Sequence, residues 1–358
     1  MTETIRSIID HYYERFVDRH GANINADQWS ALNAMRGCRT EQYGQVALAC
    51  DRCDWQGEIF QSCGHRSCPH CQHDVASQWL ERQTDKLLPV RYFMVTFTIP
   101  TELRDLFKTN QSVCYTLLFE STVETLKRFG LNDKALQGEL GFTGVLHTHS
   151  RRLDYHPHIH YIVPAGSFNP KQNEWKEKTD RYLFKQGNLA KVFRATLLNK
   201  LKHTFSTMPK QSRKKWIVDC RDVGSGLPAL KYLSRYLYRG VISSKSNLSD
   251  NGTEVSFDYE ESRSKKKMRR ALKGEDFILL LLQHVLPKGF RRVRDFGFLH
   301  GNAKKRLRRI QLYLKVSISL PQPTRKASKH GLRCAKCQAT VSVVGFISAL
   351  DYRKAHPT

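Results

Sequence analysis

The chain has no apolar run long enough to cross a bilayer. Its longest, FILLLL from Phe277 to Leu282, has six residues, where a spanning helix needs roughly 20. Its opening stretch, MTETIRSIIDHYYERF, lacks the apolar core of a secretory leader, so a soluble cytoplasmic protein is expected, with its thiols kept reduced. No P-loop of the form GxxxxGK[ST] occurs, which excludes the commonest phosphate cradle of nucleotide-driven motors. Carboxylates are also scarce. Against 59 Lys and Arg there are 33 Asp and Glu, a formal charge of +26.

A surplus of that size favours a polyanion, because each neutralised phosphate releases condensed counterions. The charge is uneven: residues 1–90 carry 9 basic and 12 acidic side chains, so the remainder carries +29. Nucleic acid is the expected partner, with most phosphate contacts in the later three quarters. From Arg263 to Arg309 there are 16 Lys or Arg against three acids. In that stretch Arg291, Arg292, Arg294, Lys304, Lys305 and Arg306 alternate with Phe290, Phe296 and Phe298, a mix suited to phosphates on cations and unstacked bases on rings. The Ser-, Asn- and Lys-rich residues 243–267 read as disordered.

Cysteine, by contrast, is abundant and clustered. Six of ten lie between Cys38 and Cys71, and two pairs, Cys50-Asp-Arg-Cys53 and Cys68-Pro-His-Cys71, have the spacing of zinc knuckles. Four thiolates suit a tetrahedral structural zinc, so these two pairs are expected to share one ion. Cys38 and Cys63 remain, with His65, His70 and His73 nearby, for a possible second site. Cys334-Ala-Lys-Cys337 is half a site that needs partners from elsewhere in the fold.

The segment LDYHPHIHYIVPAG places His156, His158 and His160 at alternate positions. On a strand they project from one face, with Ile159, Tyr161 and Val163 on the other. That face can hold a metal. VLHTHS just upstream forms a hairpin with it about residues 152–155, bringing His147 and His149 opposite His158 and His160. Register favours His147 as third ligand. Helices are expected over 3–20, 74–87, 101–130 and 189–207, and a strand over 91–100. Strand, helix, hairpin, helix gives an α+β fold, an antiparallel sheet covered by helices. Expected domains are a zinc-ribbon-like module over 1–90, the sheet domain over 91–310 and a tail over 311–358.

GLPALKYLSRYLYRG, residues 226–240, reads as a helix with Pro228 in its first turn and Gly240 at its end. Tyr232 and Tyr236 are four apart and share a face, with Arg235 and Arg239 close by. A metal face plus paired phenols supplies what DNA transesterification needs. A cation polarises the phosphate, and a phenol attacks phosphorus and stores the bond as phosphotyrosine.

The order of a cysteine-rich module, VTFTIP, HPHIH and KYLSRYLYR, with SCGHRSCPHCQ and GFRRVRDFGFLHG, resembles the HUH rolling-circle transposases with two tyrosines, the insertion sequence ninety-one type. The resemblance implies an HUH endonuclease domain whose metal pair is His158 and His160, with His156 as a flank, and whose nucleophiles are Tyr232 and Tyr236. It implies Mg²⁺ or Mn²⁺ at that site, structural Zn²⁺ in the cysteine module, and single-stranded or hairpin DNA as partner. With no P-loop present, single strands are expected from a host helicase or from DNA that is already single-stranded. A bacterial, nucleoid-associated enzyme is expected. A relaxase or replication initiator would share the chemistry, and a zinc-module DNA-binding regulator would share the charge and the cysteines.

Overall fold

The computed structural model describes the chain except residues 1–3, 70, 72, 210–215, 239–241, 243–246, 262–263, 265, 317–331 and 357–358, and the side chains of 73–75 and 235–238. It opens with α1 (Ile5–His20) and α2 (Ala26–Gly37), the hairpin β1 (Gln45–Cys50) and β2 (Gln56–Phe60), and α3 (His73–Thr84). Both opening helices start on reciprocal capping boxes, Thr4 with Ser7 and Asn25 with Gln28, which satisfy amides that the helix leaves free.

The central part runs through β3 (Tyr92–Thr98), α4 (Arg104–Thr109), α5 (Gln111–Asn132), β4 (Glu139–Leu140), β5 (Phe142–His149) and β6 (Tyr155–Pro164). It continues with β7 (Gly166–Asn169), β8 (Glu174–Glu177), α6 (Gln186–Thr204), β9 (Val218–Gly224) and α7 (Leu227–Tyr238). Then come β10 (Ser249–Asp250), β11 (Glu254–Glu260), β12 (Lys267–Lys273), α8 (Gly274–Leu282), β13 (Val293–Phe296), α9 (Lys304–Tyr313), β14 (Val341–Ile347) and α10 (Ala349–Ala355). The fold is α+β. The stretch expected as one helix over 101–130 is two, parted at Asn110, whose ψ of 48° breaks the helical path.

Five strands form the central antiparallel sheet in the order β13-β5-β6-β3-β9. Period-two alternation gives it two unlike faces. Phe93, Val95, Phe97, Ile159, Tyr161 and Val163 point into an apolar core shared with α5 and α6. Gly144 belongs to that face for a steric reason: it lies opposite Tyr161, and a Cβ there would come within 2.4 Å of the Tyr161 ring. The Tyr161 hydroxyl and Thr122 Oγ1 of α5 lie 2.6 Å apart, so the phenol is satisfied inside the core. The opposite face carries Tyr92, Val145 and Ile162 against α3 and α7, through Trp79, Leu230 and Leu233.

Two sequence expectations fail here. Residues 243–267 are not a disordered stretch where described: β11 pairs along its length with β12. Val255 and Phe257 bury almost completely against Phe277 of α8, so two apolar residues at period two suffice to anchor a strand otherwise written in polar letters. Where described, residues 311–358 are not a separate tail either. β14 lies antiparallel on β1, with Cys50 opposite Val341 and Gln45 opposite Ile347, in a three-stranded sheet β14-β1-β2.

Ile159 is fully buried between histidines that face the other way. Ile159→Ala is expected to cost about 2–5 kcal/mol in urea unfolding, the range for a fully buried large-to-small change. A loss below about 1 kcal/mol would mean that this face of β6 is not packed as described.

Candidate active site and metal centres

The hairpin β5–β6 and strand β3 converge three imidazoles. His147 pairs with His158, and His160 sits between Val145 on one side and Thr96 on the other. One ring nitrogen from each of His147, His158 and His160 lies within 4.8 Å of the others. All three are buried, at 6, 9 and 7% exposure. His149 does not join them. A register shift between His147 and His149 puts His149 opposite Tyr155, and its ring packs 5.2 Å from that of His284. The expectation that His147 and His149 both come opposite the histidines of β6 is therefore corrected for His149.

Hydrogen bonds orient the cluster. His158 Nδ1 lies 2.6 Å from the carbonyl of His156, and since a carbonyl only accepts, Nδ1 carries the proton and Nε2 keeps its lone pair. His160 Nδ1 lies 2.8 Å from Thr96 Oγ1. These are the outer partners that metal-binding imidazoles ordinarily have. Burial depresses the basicity of all three rings, most directly by desolvation and then, for His147 and His160, by the neighbouring imidazoles. His158 is pushed down to about 4 by burial. The cluster is therefore neutral at pH 7, with nitrogen donors available for a cation.

Around it lie residues that sequence reasoning passed over. His284, buried and pushed down to about 4 by burial, accepts at Nδ1 from Thr148 Oγ1 (3.2 Å) and donates from Nε2 to the Leu153 carbonyl (2.9 Å). It ties α8 to the turn of the histidine hairpin. Arg104 of α4 reaches His156 Nδ1 at 2.7 Å. A lone histidine in HVLP and a lone arginine at a helix start gave no spacing signal.

Helix α7 closes one side of the histidine face. Gly226, at φ +80° just before it, sits against the ring of Tyr92, where a Cβ would come within 2.7 Å. Ala229, Leu230 and Leu233 bury toward the sheet. That leaves Tyr232 half-buried at the edge, its ring 6.5 Å from that of His160 and perpendicular to it. Tyr236 follows one turn later on α7. Its side chain, that of Arg235, and residue Arg239 lie outside the described residues.

The cysteines assemble into two sets of four. Cys38, Cys63, Cys68 and Cys71 form one, and Cys50, Cys53, Cys334 and Cys337 the other. Sulfurs in the first set approach to 3.5 Å (Cys38 to Cys71 and Cys63 to Cys71), close to the edge of about 3.8 Å expected of a tetrahedron with Zn–S near 2.3 Å. The first set packs on the core of α1, α2 and α8.

The family model Zn_Tnp_IS91, "Transposase zinc-binding domain", matches residues 8–99, and the model Y2_Tnp, "Putative transposase", matches 141–306. Over 343 residues the chain is 30% identical to "Putative transposase y4qJ" of Sinorhizobium fredii, covering 89% of this chain and 86% of that one. Over 352 residues it is 25% identical to the transposase for insertion sequence element IS801 of Pseudomonas savastanoi pv. phaseolicola, covering 89% and 84%. The chain belongs to the IS91-type transposase family. No solved structure matches it. Both relatives are bacterial, and no helix among the described residues is long and apolar enough to cross a membrane.

The transposase thus carries a zinc-binding domain, but its two knuckles do not share an ion as their spacing suggested. Cys68 and Cys71 join Cys38 and Cys63, while Cys50 and Cys53 sit in the turn of the β1–β2 hairpin beside Cys334 and Cys337. The basic segment also needs correction. Phe290 and Phe298 are core residues at 8 and 0% exposure and Phe296 packs against Phe142, so these rings are not free to stack bases. Arg294 lies over the rings of Phe119 and Phe290, with its guanidinium carbon 4.3 and 4.9 Å from their centroids. Arg306 pairs with Glu139, and Arg292 is half-buried. Arg291, Lys304 and Lys305 are exposed, as are Arg308 and Arg309 on α9.

Because the buried histidines resist protonation in the folded state, the unfolded chain binds more protons below its ordinary imidazole value of 6.5. Stability is then fully present above that pH and is lost as pH falls toward 4, by up to about 1.4 kcal/mol per pH unit for each such histidine. In metal-free protein the Tm should fall between pH 7 and pH 5, and the fall should be smaller in His158→Gln/His160→Gln. Equal falls in the two proteins would show that these rings are protonated when folded.

Proposed function

We propose that this transposase cuts single-stranded DNA at element ends with tyrosine nucleophiles on α7, next to a divalent cation held by His147, His158 and His160, in rolling-circle transposition of the HUH type. The observation that carries the reading is the meeting of the Tyr232 ring of α7 with the edge of a buried, neutral three-histidine cluster carried on β5 and β6.

The donor set fits a cation: three imidazoles that are uncharged at pH 7, at least two of them oriented through Nδ1, leave other coordination positions to phosphate and water. Mg²⁺ or Mn²⁺ suits a site that must exchange oxygen ligands. When bound, such an ion supplies polarisation of the scissile phosphate and offsets charge developing on the departing 3′ oxygen. The chain's own residues do the rest. Tyr232 presents its hydroxyl to phosphorus, forming the new phosphate–tyrosine bond as the bond to the 3′ oxygen breaks, and the phenol proton passes, directly or through water, to the departing 3′ oxygen, which leaves as a hydroxyl. The free energy of the broken bond is kept in the 5′-phosphotyrosine, so religation to another strand needs no nucleotide cofactor. Tyr236, four residues on in the sequence, would make the second cut. The exposed cations Arg291, Lys304 and Lys305 would hold phosphates. A host helicase or existing single strands would supply the substrate.

His158→Ala/His160→Ala is expected to lower nicking of a single-stranded oligonucleotide in Mn²⁺ by about 100-fold or more, the scale on which loss of a charge-stabilising group registers, while gel-shift binding persists. A double mutant that still nicks at the wild-type rate places the metal elsewhere.

Tyr232→Phe and Tyr236→Phe should each fold and bind DNA yet lose transposition, and the double mutant should give no covalent 5′ adduct, with Tyr238→Phe as the control. An adduct surviving in the double mutant would overturn the assignment of the nucleophiles.

A further inference from the structure

The zinc-domain match ends at residue 99, yet two of the cysteines inside it find their partners far downstream. Cys50 and Cys337 Sγ atoms lie 3.5 Å apart across 287 positions of sequence, and Cys53 and Cys334 Sγ atoms lie 3.6 Å apart. We propose that Cys50, Cys53, Cys334 and Cys337 hold a second zinc ion, so that a complete zinc ribbon in this protein is built from a knuckle near residue 50 and a knuckle near residue 335.

Four independent features support the site. The four sulfurs all lie within 4.8 Å of one another, and the Cys50–Cys337 and Cys53–Cys334 separations approach the tetrahedral edge of about 3.8 Å set by Zn–S bonds near 2.3 Å. They are well beyond the 2.05 Å or so of a disulfide. Both knuckles aim a backbone amide at a sulfur: the Arg52 N–H donates to Cys50 Sγ at 3.4 Å and the Lys336 N–H to Cys334 Sγ at 3.3 Å. Amides so placed favour the anionic thiolate that a zinc ion needs.

The scaffold repeats on both sides as well. Cys50 and Cys53 occupy the β1–β2 turn. Cys334 and Cys337 occupy the turn closed by the Arg333–Thr340 bridge and the Cys334 N–H to Ala339 carbonyl bond of 2.8 Å. The two turns are joined by β14 lying on β1, by the Asp51 N–H donating to the Thr340 carbonyl (3.2 Å), by Ser342 Oγ donating to Asp51 (2.7 Å) and by Lys336 with Asp54 (2.8 Å). Finally, the bland alternative of cysteines serving as small buried hydrophobes does not suit the set, because Cys337 is exposed and Cys50 and Cys53 are half-exposed.

The test uses the full-length protein, purified reduced and without chelator. Zinc analysis is expected to give two equivalents per chain, falling to one in Cys334→Ser/Cys337→Ser. One equivalent in the wild type, or two in the double mutant, would overturn the proposal. In case the double mutant misfolds, wild-type protein is alkylated with iodoacetamide before and after a strong chelator and mapped by mass spectrometry. Cys50, Cys53, Cys334 and Cys337 should be protected together and become reactive together. Rapid labelling of the exposed Cys337 in zinc-replete protein, or two disulfides among these four residues in reduced preparations, would also overturn it.

Discussion

Everything at the histidine face depends on strand β6 serving two incompatible environments at once. Its odd-numbered residues, Ile159, Tyr161 and Val163, lie in a dry core of phenylalanines, and its even-numbered residues, His158 and His160, line the opposite face. A slip of one residue would put imidazoles among Phe97 and Phe142 and leave isoleucine in the site. Neighbours on both sides forbid that slip. β3 brings Thr96 beside His160, and β5 brings His147 beside His158. The same packing that stabilises the sheet therefore sets the imidazole geometry, which is what a site held on strands rather than loops provides.

Charge is arranged with the same economy. The chain is strongly basic, yet the three imidazoles of the histidine site are themselves uncharged, because burial keeps the rings deprotonated. Positive charge is displaced outward, to Arg291 and to the exposed cations of α9. A polyanion would meet the exterior cations first and a neutral, donor-rich pocket only at close range.

The parts of this arrangement that were legible in the sequence are those written locally. Period two in HPHIH and period four in KYLSRYLYR need only a few residues to be read, and a short turn brings His147 to the neighbouring histidine strand. His149 was misplaced because a backbone register shift carries no residue-type signature. The knuckles were recognised as knuckles, but their partners were not, since CxxC spacing states that two thiolates share an ion without stating which other two complete it. Tertiary placement decides that, through β14 pairing with β1. Phe290 and Phe298 mislead for a related reason: aromatic residues between arginines look the same whether their rings face solvent or core, and here Phe298 is fully buried while the guanidinium of Arg294 covers Phe290. Val255 and Phe257 were too few in a polar stretch to outweigh its composition.

The pairing of β14 on β1 also imposes an order on synthesis. When β1 and β2 leave the ribosome, one edge of that hairpin has its backbone amides and carbonyls unmatched, and the strand that covers it is encoded almost 300 residues later. The histidine sheet, whose last strand is β13, can be complete before that cover arrives. The strands of the histidine sheet are thus all synthesised before β14, and a chain lacking β14 would leave that edge of β1 without its partner strand.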